Sequence, residues 1–145
     1  MVYHPEDKHL PVEKRRPHPR FPDRAKHREE AINFFLKLIN VKSIPRIAVE
    51  NPIGIMSKIV GKPNQIVQPY WFGDPYTKTT CLWLKGLDPL HKTNEVEKGE
   101  RIHFKSGKSQ PKWYSDAFVK AKTHQERQIL RSKTFPGLAK AMAEQ

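Results

Sequence analysis

Apolar side chains recur at helical spacing in residues 24–40, which predicts an amphipathic helix. The residues that share its apolar face are Ala31, Phe34, Phe35 and Leu38, and Ile32, Leu36 and Ile39 widen that face. Asp23 stands immediately before the segment, where an acidic residue can cap the first turn. We therefore expect a helix that packs one broad side on an apolar surface.

Two short runs rich in apolar residues follow this helix. Residues 44–49 are apolar at almost every position and lead into Glu50-Asn51-Pro52, a pattern typical of a strand buried on both faces, as in a parallel sheet. Residues 79–84 predict a second strand, closed by Gly86. A helix, a strand and a polar turn in this order form half of a βαβ unit, so the predicted fold class is α/β.

The rest of the chain is less regular. The five prolines of residues 1–22 predict an extended arm. Residues 53–69 look irregular apart from a short helical turn near 55–60. A charged helix is expected over 115–131 and a terminal helix over 136–143.

Charge divides the chain into four predicted regions. The 145 residues carry 27 Lys and Arg against 15 Asp and Glu, a net charge of +12. Half of that excess lies in one segment, residues 92–133, which holds 11 basic and 5 acidic residues. The predicted regions are a basic arm (1–22), an α/β core (23–91), a basic irregular segment (92–133) and a C-terminal helix (134–145). The charge favours a polyanionic partner, with nucleic acid before an acidic membrane surface; charges that are merely solvated are the alternative.

Cysteine content and hydropathy exclude several classes of protein. The single cysteine, Cys81, allows no disulfide framework and no Cys-x-x-Cys zinc site, and its strand context predicts a buried structural thiol. No apolar run is long enough to span a bilayer, and the first residues lack the apolar core of a secretion signal. A cytoplasmic protein without a membrane partner is expected.

Glu50 is the sharpest candidate for chemistry. In open α/β sheets, ligands bind in the crevice outside the carboxyl ends of the strands, where Glu50 and Asn51 are predicted to lie. A carboxyl group partly withdrawn from water there can hold or share a proton, and Asn51 can hydrogen-bond it or a substrate. The alternative is that Glu50 only accepts backbone N–H groups at the end of the strand.

A second candidate surface lies in residues 71–80, which combine aromatic residues, a turn and hydroxyl groups around a lysine. Lys78, Thr79 and Thr80 can contact phosphate, while Tyr70 or Trp71 can stack on a base. The alternative is a tight turn whose aromatic residues close the neighbouring core.

Three segments in this order resemble the C-terminal part of a DNA cytosine-5 methyltransferase of the short type carried by phages and prophages. They are Ile47-Ala48-Val49-Glu50-Asn51-Pro52; Phe72-Gly73-Asp74-Pro75-Tyr76-Thr77-Lys78-Thr79-Thr80-Cys81-Leu82-Trp83-Leu84; and Ser132-Lys133-Thr134-Phe135-Pro136-Gly137-Leu138-Ala139-Lys140-Ala141-Met142-Ala143. The first is similar to the family's Glu-Asn-Val motif, and the second to its Tyr-Gly-x-Pro-Gln-x-Arg-x-Arg region. The resemblance runs from about residue 34 to residue 145.

The resemblance implies a Rossmann-like class I sheet, S-adenosylmethionine as methyl donor and a cytosine flipped out of DNA. It implies that Glu50 hydrogen-bonds or protonates the N3 atom of that cytosine, so that a thiolate can attack carbon 6 and carbon 5 can take the methyl group. Tyr76, Lys78 and Thr80 stand where the family has a glutamine and two arginines that contact DNA. The basic segment 92–133 takes the position of a target-recognition region.

The same resemblance predicts that this chain needs a partner. The 145 residues contain neither the family's glycine-rich cofactor loop nor its Pro-Cys nucleophile loop, and Cys81 lies on a different element. We expect a split enzyme completed by an N-terminal half on a second chain, in the cytoplasm of a bacterium or a phage-infected cell. The alternatives are a truncated gene product, an inactive remnant reused to bind DNA, or a non-enzymatic basic nucleic-acid-binding protein. Half a sheet would also expose an unpaired strand edge.

Overall fold

A computed structural model describes residues 2–145, and its centre is a three-stranded antiparallel sheet. The strands are β1 (Ile47–Pro52), β2 (Gln65–Val67) and β3 (Thr80–Lys85), in the order β1-β3-β2. Glu50 lies opposite Leu82 in the β1–β3 ladder, and Ile66 lies opposite Cys81 in the β2–β3 ladder. The fold is therefore of the mixed α/β class.

The parallel pairing expected for the first strand is wrong, because β1 runs antiparallel to β3. The predicted burial of this strand on both faces is also wrong, because β1 lies at the edge of the sheet and is mostly half-buried. The strand that is covered on both faces is the central one, β3. The strand β1 also begins three residues later than predicted and runs through Pro52, so Glu50 and Asn51 lie within β1 rather than beyond its carboxyl end. An edge position tolerates this proline, which cannot donate to a ladder.

Alternate residues of β3 supply two separate hydrophobic clusters, because successive side chains of a strand point to opposite faces. Cys81 and Trp83 pack on one face, and Leu82 packs on the other. The first cluster also contains Phe35, Val49 and Met56; the second contains Val67, Phe72, Leu138 and Ala141. The sheet is therefore the middle layer between helices that pack on opposite faces.

The helix of the first cluster is α1 (Arg24–Ile39), which confirms the predicted helix to within one residue. Its predicted packing face is only partly right, because Phe35 is buried with Ile32 and Ile39 packed beside it, whereas Ala31, Phe34 and Leu38 are exposed. Phe35 is its buried residue, and its ring meets Trp83 edge-on at a centroid distance of 5.1 Å. Asp23 occupies the N-cap position but makes no side-chain cap hydrogen bond. A short helix, α2 (Met56–Ile59), lies where a helical turn was predicted.

The region 92–133 is more ordered than its composition predicted. It contains a hairpin of β4 (Arg101–His103) and β5 (Ser109–Pro111), followed by α3 (Lys112–Lys120) and α4 (His124–Ser132). The single helix expected over 115–131 is therefore wrong. The break has a local cause: Thr123 and Glu126 form a reciprocal capping box, which starts α4 anew.

The predicted terminal helix is confirmed as α5 (Pro136–Glu144), whose Leu138 and Ala141 are buried in the second cluster. Its first turn fits closely against the turn that contains Gly73. The Gly137 N–H donates to Asp74 Oδ2 at 2.7 Å, and a Cβ atom at Gly137 would overlap the Phe72 carbonyl oxygen. This docking fixes the segment that precedes α5, residues 133–135.

The N-terminal arm is folded on itself. Two 3₁₀ turns, Pro5–His9 and Val12–Lys14, replace the extended conformation that its prolines predicted. Asp7 is 3% exposed and accepts hydrogen bonds from the Arg16 backbone and guanidinium. This acid–base pair closes the arm into a compact loop.

Candidate functional site

A cleft of about 550 Å³ opens beside the later part of β1, and we call it the Glu50 cleft. It lies between the sheet, the end of the β4–β5 hairpin and helices α3 and α4. Its volume is in the range of small-molecule sites, roughly 300–1,000 Å³. The residues that line it are Glu50, Asn51, Pro52, Thr77, Lys78, Pro111, Trp113, Tyr114, Arg131 and Ser132.

Glu50 is held in this cleft by one partner on each carboxylate oxygen. The Thr134 hydroxyl donates to Oε2 at 2.9 Å, and the Lys78 ammonium lies 3.7 Å from Oε1. The Glu50 side chain is 24% exposed, so water or a ligand can still reach it. Because a carboxylate can accept about four hydrogen bonds, these two contacts leave part of its capacity open.

Lys78 ties this carboxylate to the segment before α5. Its ammonium donates to the Lys133 carbonyl at 2.8 Å and lies 6.0 Å from the centroid of the Phe135 ring. Together with the Thr134–Glu50 hydrogen bond, this contact holds residues 133–135 against β1 and against the segment before β3.

Asn51 lies beside Glu50 at the boundary between two cavities. Both residues also line a second, apolar cavity of about 300 Å³ between α1 and β1, where Phe34, Phe35 and Met56 form part of the wall. The predicted pair of polar side chains is therefore brought together at a surface opening, with an apolar cavity on one side and the Glu50 cleft on the other.

Aromatic side chains form one wall of the Glu50 cleft. The Trp113 indole N–H donates to the Thr77 carbonyl at 3.1 Å, which anchors α3 against the segment before β3. The Phe135 ring meets Trp113 edge-on at 5.4 Å. Next to Trp113, the Tyr114 ring lies under the Arg131 guanidinium, with the Arg131 Cζ atom 3.8 Å from the ring centroid. The cleft therefore offers flat apolar surface beside a carboxylate and an amide.

The structure separates the residues that were predicted to contact DNA. Only Lys78 shares the cleft with Glu50. Tyr76 stacks on Phe135 and lines a neighbouring cleft of about 460 Å³, while Thr79 accepts a hydrogen bond from Gln68.

Two further candidates lie away from the cleft. Thr80 is 1% exposed and donates to the Lys78 carbonyl, so its hydroxyl lies in the interior rather than on a surface that phosphate can reach. Trp71 packs against the second cluster, and the Lys92 ammonium lies 4.8 Å from the centroid of its ring.

Sequence reasoning missed three residues of the site, Trp113, Tyr114 and Arg131. They lie in the weakly patterned segment 92–133, and the distance in sequence between Tyr114 and Arg131 hides their contact. The Trp113-Tyr114 pair directly after Pro111 and Lys112 was the available signal. Thr134 belongs to a quoted motif, but nothing in its sequence context pointed to Glu50.

Cys81 is 1% exposed, which confirms the predicted buried thiol. Burial raises the pKa of this thiol above its ordinary value and disfavours the reactive thiolate. Within residues 2–145, no group of three or more His, Cys, Asp or Glu residues is placed to hold a metal ion. In the same part of the chain, no helix has both the length and the apolar character needed to cross a bilayer.

Comparisons with known proteins give no match to this chain, whether with protein-family models, curated proteins or solved structures.

Proposed function

We propose that this chain is the C-terminal portion of a DNA cytosine-5 methyltransferase, which transfers methyl groups when an N-terminal half completes it. The observation that carries the proposal is the Glu50 cleft, where a carboxylate and an amide face aromatic side chains and two cations. A planar base with polar edges fits such a surface, because aromatic rings stack on its faces and polar groups bind its edge.

Glu50 has a defined task in this proposal. In its ionised form, the carboxylate accepts a hydrogen bond from the exocyclic amino group of cytosine. In its protonated form, it donates to N3 of the ring, which makes carbon 6 more electrophilic. Thr134 and Lys78 orient the carboxylate, while Asn51 offers a further donor and acceptor beside it.

The sheet supports the Rossmann-like part of the proposal. Since β1 and β2 both pair antiparallel with β3, they run parallel to each other, and helices cover both faces. Large α/β sheets commonly combine parallel strands with an antiparallel one near the edge. Among the described residues, no strand pairs with the outer edge of β1. The strands of the completing half would join the sheet at that edge.

By resemblance, the methyl donor is S-adenosylmethionine, which supplies the electrophilic methyl group. The sequence contains no glycine-rich loop after a strand, so we assign no residue of this chain to the donor. The donor site and the attacking thiolate belong to the completing half in this proposal.

The test is reconstitution. The chain is mixed with the polypeptide encoded by the adjoining upstream reading frame, labelled S-adenosylmethionine and duplex DNA, and transfer to cytosine is measured. Glu50→Gln should lower transfer by about 100-fold or more, the typical contribution of a general acid or base. Glu30→Gln, on the exposed side of α1, is the matched control and should transfer at the normal rate. Normal transfer by Glu50→Gln, or no transfer by two folded wild-type halves, contradicts the proposal.

A second candidate function is non-enzymatic binding to nucleic acid. The net charge of +12 and the cations held over Trp71, Tyr70, Phe118 and Tyr114 favour it. Binding that depends on phosphate contacts should weaken steeply as salt rises, whereas flat affinity would mean that the charges only solvate the protein. Glu50→Gln should leave such binding nearly unchanged, which separates it from the enzymatic function.

A further inference from the structure

Within residues 2–145, Arg131 is a cation of the Glu50 cleft that has no carboxylate partner. Among the described residues, no ion pair within 4.0 Å involves Arg131. Its Nε atom is buried and has no hydrogen-bond partner in that part of the chain. The guanidinium is instead held by packing, 3.8 Å over the ring of Tyr114 and 5.8 Å from the ring centroid of Phe118.

The charges that line the cleft do not balance. Glu50 contributes one negative charge and is already paired with Lys78, while Arg131 adds a second positive charge. The remaining lining residues are uncharged. A cleft with this excess favours an anionic ligand, and the fork of N–H groups of an arginine suits the oxygens of a phosphate.

The cleft thus combines three features: an unpaired cation, flat aromatic surface and a carboxylate next to an amide. The cation fits a phosphate, the aromatic rings fit the faces of a planar heterocycle, and the polar pair fits its hydrogen-bonding edge. A nucleotide is the class of ligand that has all three parts.

We propose that the Glu50 cleft binds a single nucleotide, with its base between the aromatic wall and Glu50 and its phosphate on Arg131. This inference rests on the proposed function and deepens it, because it assigns the phosphate contact of the extruded nucleotide to α4. Tyr114 positions the guanidinium by stacking under it, so Arg131 enters the cleft as a preorganised donor.

The structure provides a matched control on the same helix. Arg127 lies one turn before Arg131, stacks on Phe118 at 4.2 Å and also has an Nε atom without a hydrogen-bond partner. It does not line the Glu50 cleft. Arg127→Gln and Arg131→Gln therefore remove similar side chains from similar packing, and only the second removes a cation from the cleft.

The experiment is a titration of the full chain with dCMP and with deoxycytidine, followed through the NMR signal of the Trp113 indole N–H. We expect dCMP to bind about tenfold more tightly than deoxycytidine, as a charge-assisted hydrogen bond to phosphate implies. Arg131→Gln should abolish that difference, Arg131→Lys should retain part of it, and Arg127→Gln should keep all of it. A thermal melt of each variant checks that it is folded.

Equal affinity of wild-type protein for dCMP and deoxycytidine would overturn the inference, and so would an unchanged difference in Arg131→Gln or a silent Trp113 signal at millimolar dCMP. A parallel titration with dAMP separates this result from the proposed function. Equal binding of dAMP and dCMP, both dependent on Arg131, supports the nucleotide site but counts against cytosine as the substrate. If nucleotide binding depends on Arg131 but the reconstituted system transfers no methyl group, the nucleotide site is supported and the proposed function is contradicted.

Discussion

Two carboxylates of this chain, Asp7 in the N-terminal arm and Glu50 in the cleft, are both paired with a cation, but in different ways. Arg16 donates to Asp7 from its backbone N–H at 2.8 Å and from its guanidinium at 2.7 and 3.0 Å. Asp7 is 3% exposed and has its hydrogen-bonding capacity largely filled. Glu50 has one hydroxyl donor, a more distant ammonium at 3.7 Å and 24% of its side chain exposed.

The difference shows which carboxylate has hydrogen-bonding capacity left for a ligand. Arg16 holds the pKa of Asp7 well below its usual range, mainly through the side-chain hydrogen bond and then the backbone one. The role of Asp7 is thus structural, because its hydrogen bonds with Arg16 close the arm. Glu50 is oriented but incompletely satisfied, and it faces a cleft rather than a closed loop.

The largest expected effect is that of Leu138→Ala, which should loosen α5 and leave the N-terminal arm unchanged. Leu138 is 1% exposed and anchors α5, and thereby the segment that carries Thr134. Leu138→Ala should lower the free energy of unfolding by about 2–5 kcal/mol, because a cavity remains where the side chain was. Urea denaturation measures this, and hydrogen exchange should show faster opening of α5 with unchanged protection in residues 4–16. Equal loosening of the arm would mean that the two regions are not independent.

The arm should respond to pH through Asp7. Because folding lowers the pKa of Asp7, its carboxylate stabilises the folded arm at pH values above the unfolded pKa, here 3.8. This stabilisation is lost as the pH falls through the folded pKa. Asp7→Asn should therefore increase hydrogen exchange at the amides of Leu10 and Arg16 at neutral pH. The difference from wild type should shrink below pH 3.8. A difference that grows on acidification would contradict the role of the ionised carboxylate.

A smaller effect is expected from Thr134→Val, which removes the donor to Glu50 and keeps the shape of the side chain. Loss of one hydrogen bond should lower the free energy of unfolding by about 0.5–1.5 kcal/mol. Thr134→Ser is the control, since it keeps the hydroxyl, and it should lose less than Thr134→Val. Identical denaturation curves for the two variants would show that the hydrogen bond does not hold the cleft.

The smallest effect is expected from Glu50→Gln without ligand. Thr134 can still donate to the amide oxygen, so only the pairing with Lys78 is lost, and partly exposed pairs contribute about 0–1 kcal/mol. The thermal midpoint should therefore stay close to that of wild type. A large drop in the thermal midpoint would mean that Glu50, like Asp7, has a structural role. That role is the alternative that the sequence left open.

Several elements could be predicted because their signals are local. The helical spacing of apolar residues in α1, the β-branched and aromatic residues of β3 and the proline at the start of α5 each act within a few residues. The strand β2 was missed because three residues carry too little pattern. The predicted parallel pairing of β1 was wrong because an apolar run does not by itself distinguish a parallel strand from an antiparallel one.

The residues of the candidate site also fall into those that local sequence predicted and those that only the tertiary structure brings together. The sequence by itself determined that Glu50 and Asn51 would be neighbours near the end of a strand, that Lys78 would lie just before the strand β3, and that Cys81 would be buried. Only the tertiary structure decided that Thr134 and Arg131 join them in one cleft and that Thr80 lies inside. Adjacent residues are held together by the chain itself, whereas residues 50 and 134 meet only because α5 packs its apolar side on the sheet.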